Sequence, residues 1–385
     1  MNNLKQFNGN RLKSARVYRG LTIAGLAEKA GVSKQAISQY ENNKNTPSLE
    51  TLMHIIHCLG FPRDYFYEQD ENNISIGNTY FRSMATTNKK EHAAQIEKTK
   101  ILSYIFRYLD NFVQFPELNL PATTNNSEIE GLALELREYW GLGLEPIPNM
   151  VRLLEKNGFV VTSFATNEEK IDAFSQSQRS DGKLYYFIVL GNEKKSASRR
   201  QFDAAHELGH ILLHDWQCDL DLMSREEFKQ IEQEANQFAA EFLLPKQSFL
   251  NDLIYPNKLD YYVELKKKWK VSIAAMVVRA YQLNALSYNQ YQYLMRQISK
   301  KGWRRKEPLD NIIKVPNPIL LQKAVDMILA NGVLTEDEIV KGISENHLTL
   351  DRKEIEILLG LKKGTLTPSQ QSTPIISLKP SKDSD

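Results

Sequence analysis

A chain of 385 residues exceeds what one ordinary core organises, so two or three domains are expected, and 42% apolar residues is the proportion of a globular protein. No run of about 18 apolar residues occurs, which excludes a spanning helix, and residues 1–6 lack the apolar core of a secretory leader, so a cytoplasmic location is expected. With 49 Lys and Arg against 47 Asp and Glu, bulk charge selects no partner, and Cys58 and Cys218 lie far apart with no need of a bridge in a reducing compartment.

Residues 11–66 read as a run of short helices. Thr22 and Ser33 suit N-caps, and Gly31-Val32 suits a tight turn between two helices, which is a helix-turn-helix signature. Over residues 1–44, eight basic residues (5, 11, 13, 16, 19, 29, 34 and 44) face Glu28 and Glu41, a local charge of +6 that fits contact with phosphates. Beyond the Asn43-to-Ser48 loop, Leu49, Leu52, Ile55, Ile56 and Leu59 form an apolar helical stripe with Cys58 beside it. From its Leu21-Thr22 opening through Ile37-Ser38-Gln39-Tyr40-Glu41 to Pro47-Ser48-Leu49-Glu50-Thr51-Leu52, the segment resembles the DNA-binding domain of XRE-type, lambda-repressor-like regulators. The resemblance implies that the helix opening at Ser33 enters the major groove of duplex DNA, with Lys34, Gln35, Ser38 and Gln39 as base or phosphate contacts. Ile23 replaces a glutamine usual in that family, which points to weak binding or to a homodimer.

Residues 71–126 are expected as a helical linker region, amphipathic over 98–115 and extended over 114–121, with a boundary at 122–126. From Ser127 the chain reads as α+β: helices over 127–139 and 149–157, and strands over 159–164 and 184–190. Such strands beside a metal-bearing helix suit an extended peptide bound by β-augmentation.

That helix carries His206-Glu207-Leu208-Gly209-His210. Two histidines four apart share one helical face and can bind one zinc, while Glu207 flanks the metal as general base. Catalytic zinc takes a third protein ligand, and the next helix offers Glu232, Glu234 and Glu241, among which spacing does not choose. Ala235 and Ala239 are small enough for close helix packing. The zinc helix followed by Glu234-Ala235-Asn236-Gln237-Phe238-Ala239 and Leu243-Leu244-Pro245 resembles the ImmA/IrrE-type metallopeptidases, as do residues 130–140 and Arg199-Arg200-Gln201-Phe202. The resemblance implies metal ligation by His206, His210 and Glu234. Asp203 stands where Thr or Ser is more usual, either perturbing the surroundings of the metal or capping the helix. His214 is expected to support the site without ligating, because a third histidine on one straight helix points away from the metal. An oxyanion-stabilising group is left among Tyr185, Tyr186, His214 and Arg200.

Between residues 266 and 306 eleven basic residues occur with no Asp or Glu, which reads equally as a solvated face or as a surface for an acidic partner. Residues 317–362 read as two or three further helices, and 363–385, rich in Ser, Thr, Pro and Lys, as a disordered tail. The expected organisation is an N-terminal all-α helix-turn-helix domain (1–70), the helical linker region (71–126), a central small-sheet, zincin-like metallopeptidase domain (127–260), a helical basic C-terminal region (261–362) and the tail. Three functions follow: a DNA-binding regulator that cleaves a partner repressor or antitoxin protein, a transcription factor whose metal domain senses a ligand or stress without cleaving, and a structural assembly module, against which the intact ligand set argues. Flanking basic surfaces around a metal-bearing middle also suggest that DNA or partner binding controls access to the site.

Overall fold

The structure is a computed structural model that describes residues 6–70, 74–81, 89–121, 128–164, 172–180, 182–192, 196–214 and 223–368. Four helices open the chain: α1 (Gly9–Tyr18), α2 (Ile23–Ala30), α3 (Lys34–Glu41) and α4 (Leu49–Leu59). Thr22 and Ser33 cap α2 and α3 by accepting from Gly25 and Ala36 N–H, and Gly31 ends α2 in the left-handed region at φ 69°, where a β-carbon is penalised. The Arg16 guanidinium grips Glu41 in a buried two-pronged pair, 2.5 and 2.9 Å, and donates to the Leu21 carbonyl, tying α1 to the end of α3.

A four-stranded sheet forms the middle of the molecule in the order β1-β3-β4-β2: β1 (Ile74–Phe81), β2 (Val160–Phe164), β3 (Ala173–Ser180) and β4 (Lys183–Gly191). β2 lies parallel to β4, and the other pairings are antiparallel. The edge strand β1 comes from the stretch expected as a helical linker, which also supplies α5 (Lys89–Asp110), longer than the expected amphipathic stretch.

Alternation of side chains makes the sheet two-faced. Phe164, Phe174, Phe187 and Val189 share a core with α5, the N-terminal helices and three C-terminal helices, α14 (Leu320–Ala330), α15 (Glu336–Glu345) and α16 (Arg352–Leu359). Val161, Ala173, Ile188 and Leu190 share the other core with α6 (Ile129–Tyr139), α7 (Met150–Lys156), α8 (Ala197–Leu213), α9 (Arg225–Leu243) and, beyond α10 (Lys246–Asp252), with α11 (Leu259–Trp269), α12 (Ile273–Gln282) and α13 (Tyr288–Lys300). The architecture is α+β, and no described helix is long and apolar enough to cross a membrane.

The C-terminal helices, unassigned from sequence, join the two ends of the chain. Glu354 on α16 accepts from the Tyr18 hydroxyl and from Arg19, Glu68 accepts from Thr349 N–H, and the Thr162 hydroxyl of β2 donates to the Leu358 carbonyl. Glu155 on α7 accepts from the N–H groups of Ile319 and Leu320, both at 2.7 Å, placing a carboxylate on the free donors at the start of α14. Burial pushes the Glu155 carboxyl up, while those two N–H groups pull the other way. Of the tail expected from residue 363, the described part is packed, since Leu366 is buried and its N–H donates to Glu356; 369–385, like Cys218, lie outside the described residues.

Candidate metal centre and nucleic-acid face

Helix α8 runs from Ala197 to Leu213 beneath β3 and β4, and His206, Glu207, Leu208 and His210 are completely buried. The approach of α9 is set by Gly209. A β-carbon there would lie 3.1 Å from the Ala235 α-carbon and carbonyl oxygen, so a larger residue would push the two helix backbones apart by a few tenths of an ångström. The face of α9 against α8 is the stripe Ala235, Phe238, Ala239, Phe242. Glu232 stands three residues before Ala235 and Glu234 four before Phe238, so both carboxylates border that stripe.

The carboxylate meeting the two imidazoles is that of Glu232. His206 Nε2 and His210 Nε2 lie 3.0 Å apart, Glu232 Oε1 is 3.1 Å from His210 Nε2, and Glu232 Oε2 is 3.5 Å from His206 Nε2. Among the described residues these three are the group that could hold a metal ion. The geometry brings Glu232, not the expected Glu234, to the two imidazoles. Burial opposes ionisation of Glu232, but the two facing imidazoles outweigh it and bring the carboxyl down to about 2.

The donor set fits a metal. Ligands at the usual zinc distances of roughly 2.0–2.1 Å stand about 3.3 Å from one another at the corners of a tetrahedron, and the two Nε2 atoms lie 3.0 Å apart with Glu232 Oε1 3.1 Å from one of them. Glu232 Oε1 is buried and accepts no hydrogen bond in spite of its 3.1 Å approach to His210, which suits a shared cation better than a shared proton.

Glu234 belongs one step further out. Its Oε2 lies 3.2 Å from His214 Nε2, and His214 Nδ1 lies 3.0 Å from His210 Nδ1; Gln230 donates to Glu234 Oε1 at 2.8 Å. If His210 keeps the Nε2 lone pair for a metal, its Nδ1–H donates to His214 Nδ1, and His214 Nε2–H then donates to Glu234: one consistent tautomer for each ring. Burial and the neighbouring His210 hold the His214 imidazole neutral, lowering its pKa to about 4 against the opposing pull of Glu234.

Glu207 accepts a 2.7 Å hydrogen bond from the Ser175 hydroxyl of β3 on Oε2. Tyr80 of β1, completely buried, stacks on His210 with centroids 4.9 Å apart and 12° between planes, and leans on His214 at 5.6 Å. Neither Tyr80 nor Ser175 was anticipated from sequence. Glu241 is drawn away to Arg279, 3.5 Å distant, and Arg200 is spent on Ser163, Asn317 and the Gly191 carbonyl. Asp203 lies inside α8, which starts at Ala197, and so caps nothing.

On the N-terminal helices Lys34 and Gln35 are exposed, Ser38 and Gln39 partly so, and Gln39 Oε1 accepts from Asn45. The local charge of +6 overstates what can reach phosphate. Arg11 pairs with Asp70, Arg16 with Glu41 and Arg19 with Glu354, leaving Lys13, Lys29, Lys34 and Lys44 as the exposed cations of the described part. The C-terminal basic run divides likewise: Lys266 is buried between Glu307 and Asp310, both at 2.7 Å, and Arg279 faces Glu241, whereas Arg296, Lys300, Lys301, Arg304, Arg305 and Lys306 are exposed.

Residues 12–66 match the family model of the helix-turn-helix, and residues 154–281 match that of the IrrE N-terminal-like domain, a peptidase family. Over 66 residues the chain is 39% identical to the HTH-type transcriptional regulator SutR of Escherichia coli (strain K12), a stretch covering 17% of this chain and 37% of the relative.

Proposed function

We propose that this chain, which joins a helix-turn-helix segment of XRE type to an IrrE N-terminal-like peptidase segment, is a DNA-binding regulator and a zinc-dependent endopeptidase that cleaves a partner repressor or antitoxin-like protein. The observation that carries the reading is the convergence of His206 Nε2, His210 Nε2 and a Glu232 oxygen next to a buried Glu207. These three residues hold the metal, and His214 with Glu234 fixes the ring of His210. A bound zinc supplies a water that is nucleophilic near neutral pH and a pull on the scissile carbonyl. Glu207, oriented by Ser175, takes the proton of the attacking water and returns it to the leaving amine. On the other side of the molecule, Lys34, Gln35, Ser38 and Gln39 meet duplex DNA.

A second reading, a metal site that senses and does not cleave, draws on the complete burial of His206, Glu207 and His210. Glu207→Gln separates the two. Mass spectrometry of cells expressing wild type or Glu207→Gln should reveal a protein shortened only by the wild type, with equal zinc in both purified chains. Identical proteomes would favour sensing.

A further inference from the structure

Strand β1 is the part of the molecule that the peptidase reading leaves without a task. Among the described residues it is an edge strand paired to β3 alone, its ladder is interrupted between Ile76 and Thr79, and in sequence it stands between the helix-turn-helix segment and α5. Edge strands held by one imperfect ladder are the ones that exchange for another chain. Its register is specific: Tyr80 pairs with Ser175, the residue whose hydroxyl holds Glu207, and the Tyr80 ring lies flat on the metal-site imidazole of His210. One residue earlier, Thr79 accepts at 2.7 Å from Gln176 on β3. An extended segment, antiparallel to β3, thus delivers an aromatic side chain to the reacting residues.

We infer that β1 is an internal stand-in for substrate: the site takes an extended peptide that pairs with β3 and lays an aromatic side chain against His210, and β1 occupies that place until it is displaced. The inference rests on the peptidase reading and adds its substrate class and its control. Chemistry at a covered site then begins with exchange of one strand for another, and the cost of removing β1 sets the affinity a true substrate must exceed.

The test uses the full chain in three forms: wild type, Tyr80→Phe, which keeps the ring, and Thr79→Pro/Tyr80→Ala, which loosens the strand. The probes are zinc, withdrawn by a coloured chelator, and a fluorescent peptide with the sequence of residues 74–81. Unfolding midpoints confirm that each variant is folded, and Tyr80→Phe gives a folded reference if the double variant is not. Losing one aromatic stack should speed zinc release about 3- to 10-fold in the double variant and leave Tyr80→Phe at the wild-type rate. The peptide should bind the double variant, with or without zinc, and bind wild type at least tenfold more weakly; the same peptide with Ala for its Tyr should bind neither. Equal binding of the peptide to wild type and a folded double variant, or zinc release indifferent to the ring, overturns the inference. If the double variant does not fold, zinc release from Tyr80→Phe faster than wild type overturns it. Zinc uptake that is absent, or unchanged in His210→Ala, instead overturns the peptidase reading, while the peptide arm still decides strand exchange.

Discussion

Exchanging Glu232 and Glu234 in turn for Gln separates direct ligation from support, because the substitutions are nearly isosteric and only two residues apart. Glu232 Oε1 and Oε2 stand 3.1 and 3.5 Å from the two Nε2 atoms, whereas Glu234 reaches His210 only through His214, by contacts of 3.2 and then 3.0 Å. Loss of a supporting partner of a ligating histidine typically costs about 10- to 100-fold in metal affinity, so Glu234→Gln should fall in that range. Glu232→Gln removes one of three protein donors and an anion from a buried site, and its loss should exceed 100-fold by roughly another order of magnitude. Competition against chelators of graded affinity, with metal content measured by mass spectrometry, reads both constants. The result that would refute the geometry is the reverse order, Glu234→Gln losing the metal while Glu232→Gln keeps it. Equal and small losses would mean that neither carboxylate ligates.

Gly209→Ala should lower both stability and zinc affinity, since its methyl meets Ala235 backbone at 3.1 Å; overpacking of about 1–3 kcal/mol outweighs the roughly 1 kcal/mol gained in helix propensity, and urea unfolding should show the net loss. Arg16→Met strands the buried Glu41 carboxylate and should destabilise by about 3–5 kcal/mol, with Arg16→Met/Glu41→Leu recovering much of it; a double variant as unstable as the single one would contradict the pairing. Binding of duplex DNA should weaken with salt, and Lys34→Ala should flatten the slope by about one unit; a slope unchanged in Lys34→Ala would remove that residue from the phosphate contacts. Burial pushes Asp310 up, yet Lys266 at 2.7 Å and the Glu307 N–H hold it below its ordinary 3.8; its contribution is therefore complete above that value and lost as pH falls further, so acid titrations should show a steeper loss in wild type than in Asp310→Asn.

The shared face of His206 and His210 was legible because four-residue spacing fixes which side chains lie together whatever surrounds them. Caps at Thr22 and Ser33 were legible for the same local reason. The choice between Glu232 and Glu234 was not legible: Glu232 stands three residues before Ala235 and Glu234 four before Phe238, so both border the buried stripe, and only the side-chain positions bring Glu232 to the imidazoles. β3 went unseen because Ala173-Phe174-Ser175-Gln176-Ser177-Gln178 carries little of the β-branched content that marks strands. Its polar residues are buried all the same, with Ser175 bonded to Glu207 and Gln176 to Thr79, partners that no local pattern discloses. The charge count failed differently: formal charge says nothing of pairing, and Arg11, Arg16 and Arg19 find their acids 59, 25 and 335 positions away.

Those long-range pairs bear on how the two segments influence each other. α1 reaches α16 through Tyr18, Arg19 and Glu354, α16 reaches β2 through Leu358 and Thr162, and the segment leaving the N-terminal helices continues into β1, which covers His210. The helix-turn-helix is therefore packed onto the body that carries the metal site, and a displacement at Glu354 has a covalent route to the cover as well as a packed one. Coupled sites commonly exchange about 1–3 kcal/mol, enough for roughly 5- to 150-fold in affinity, and lifting an edge strand fits that range better than rearranging three buried ligands. Glu354→Gln, which weakens the clasp without touching either site, should thus raise binding of the 74–81 peptide to the full chain and lower the effect of DNA on it, as read by fluorescence polarisation with and without duplex. A Glu354→Gln protein that binds peptide as wild type does and responds to DNA as wild type does would leave the two segments as neighbours that share a core and nothing more.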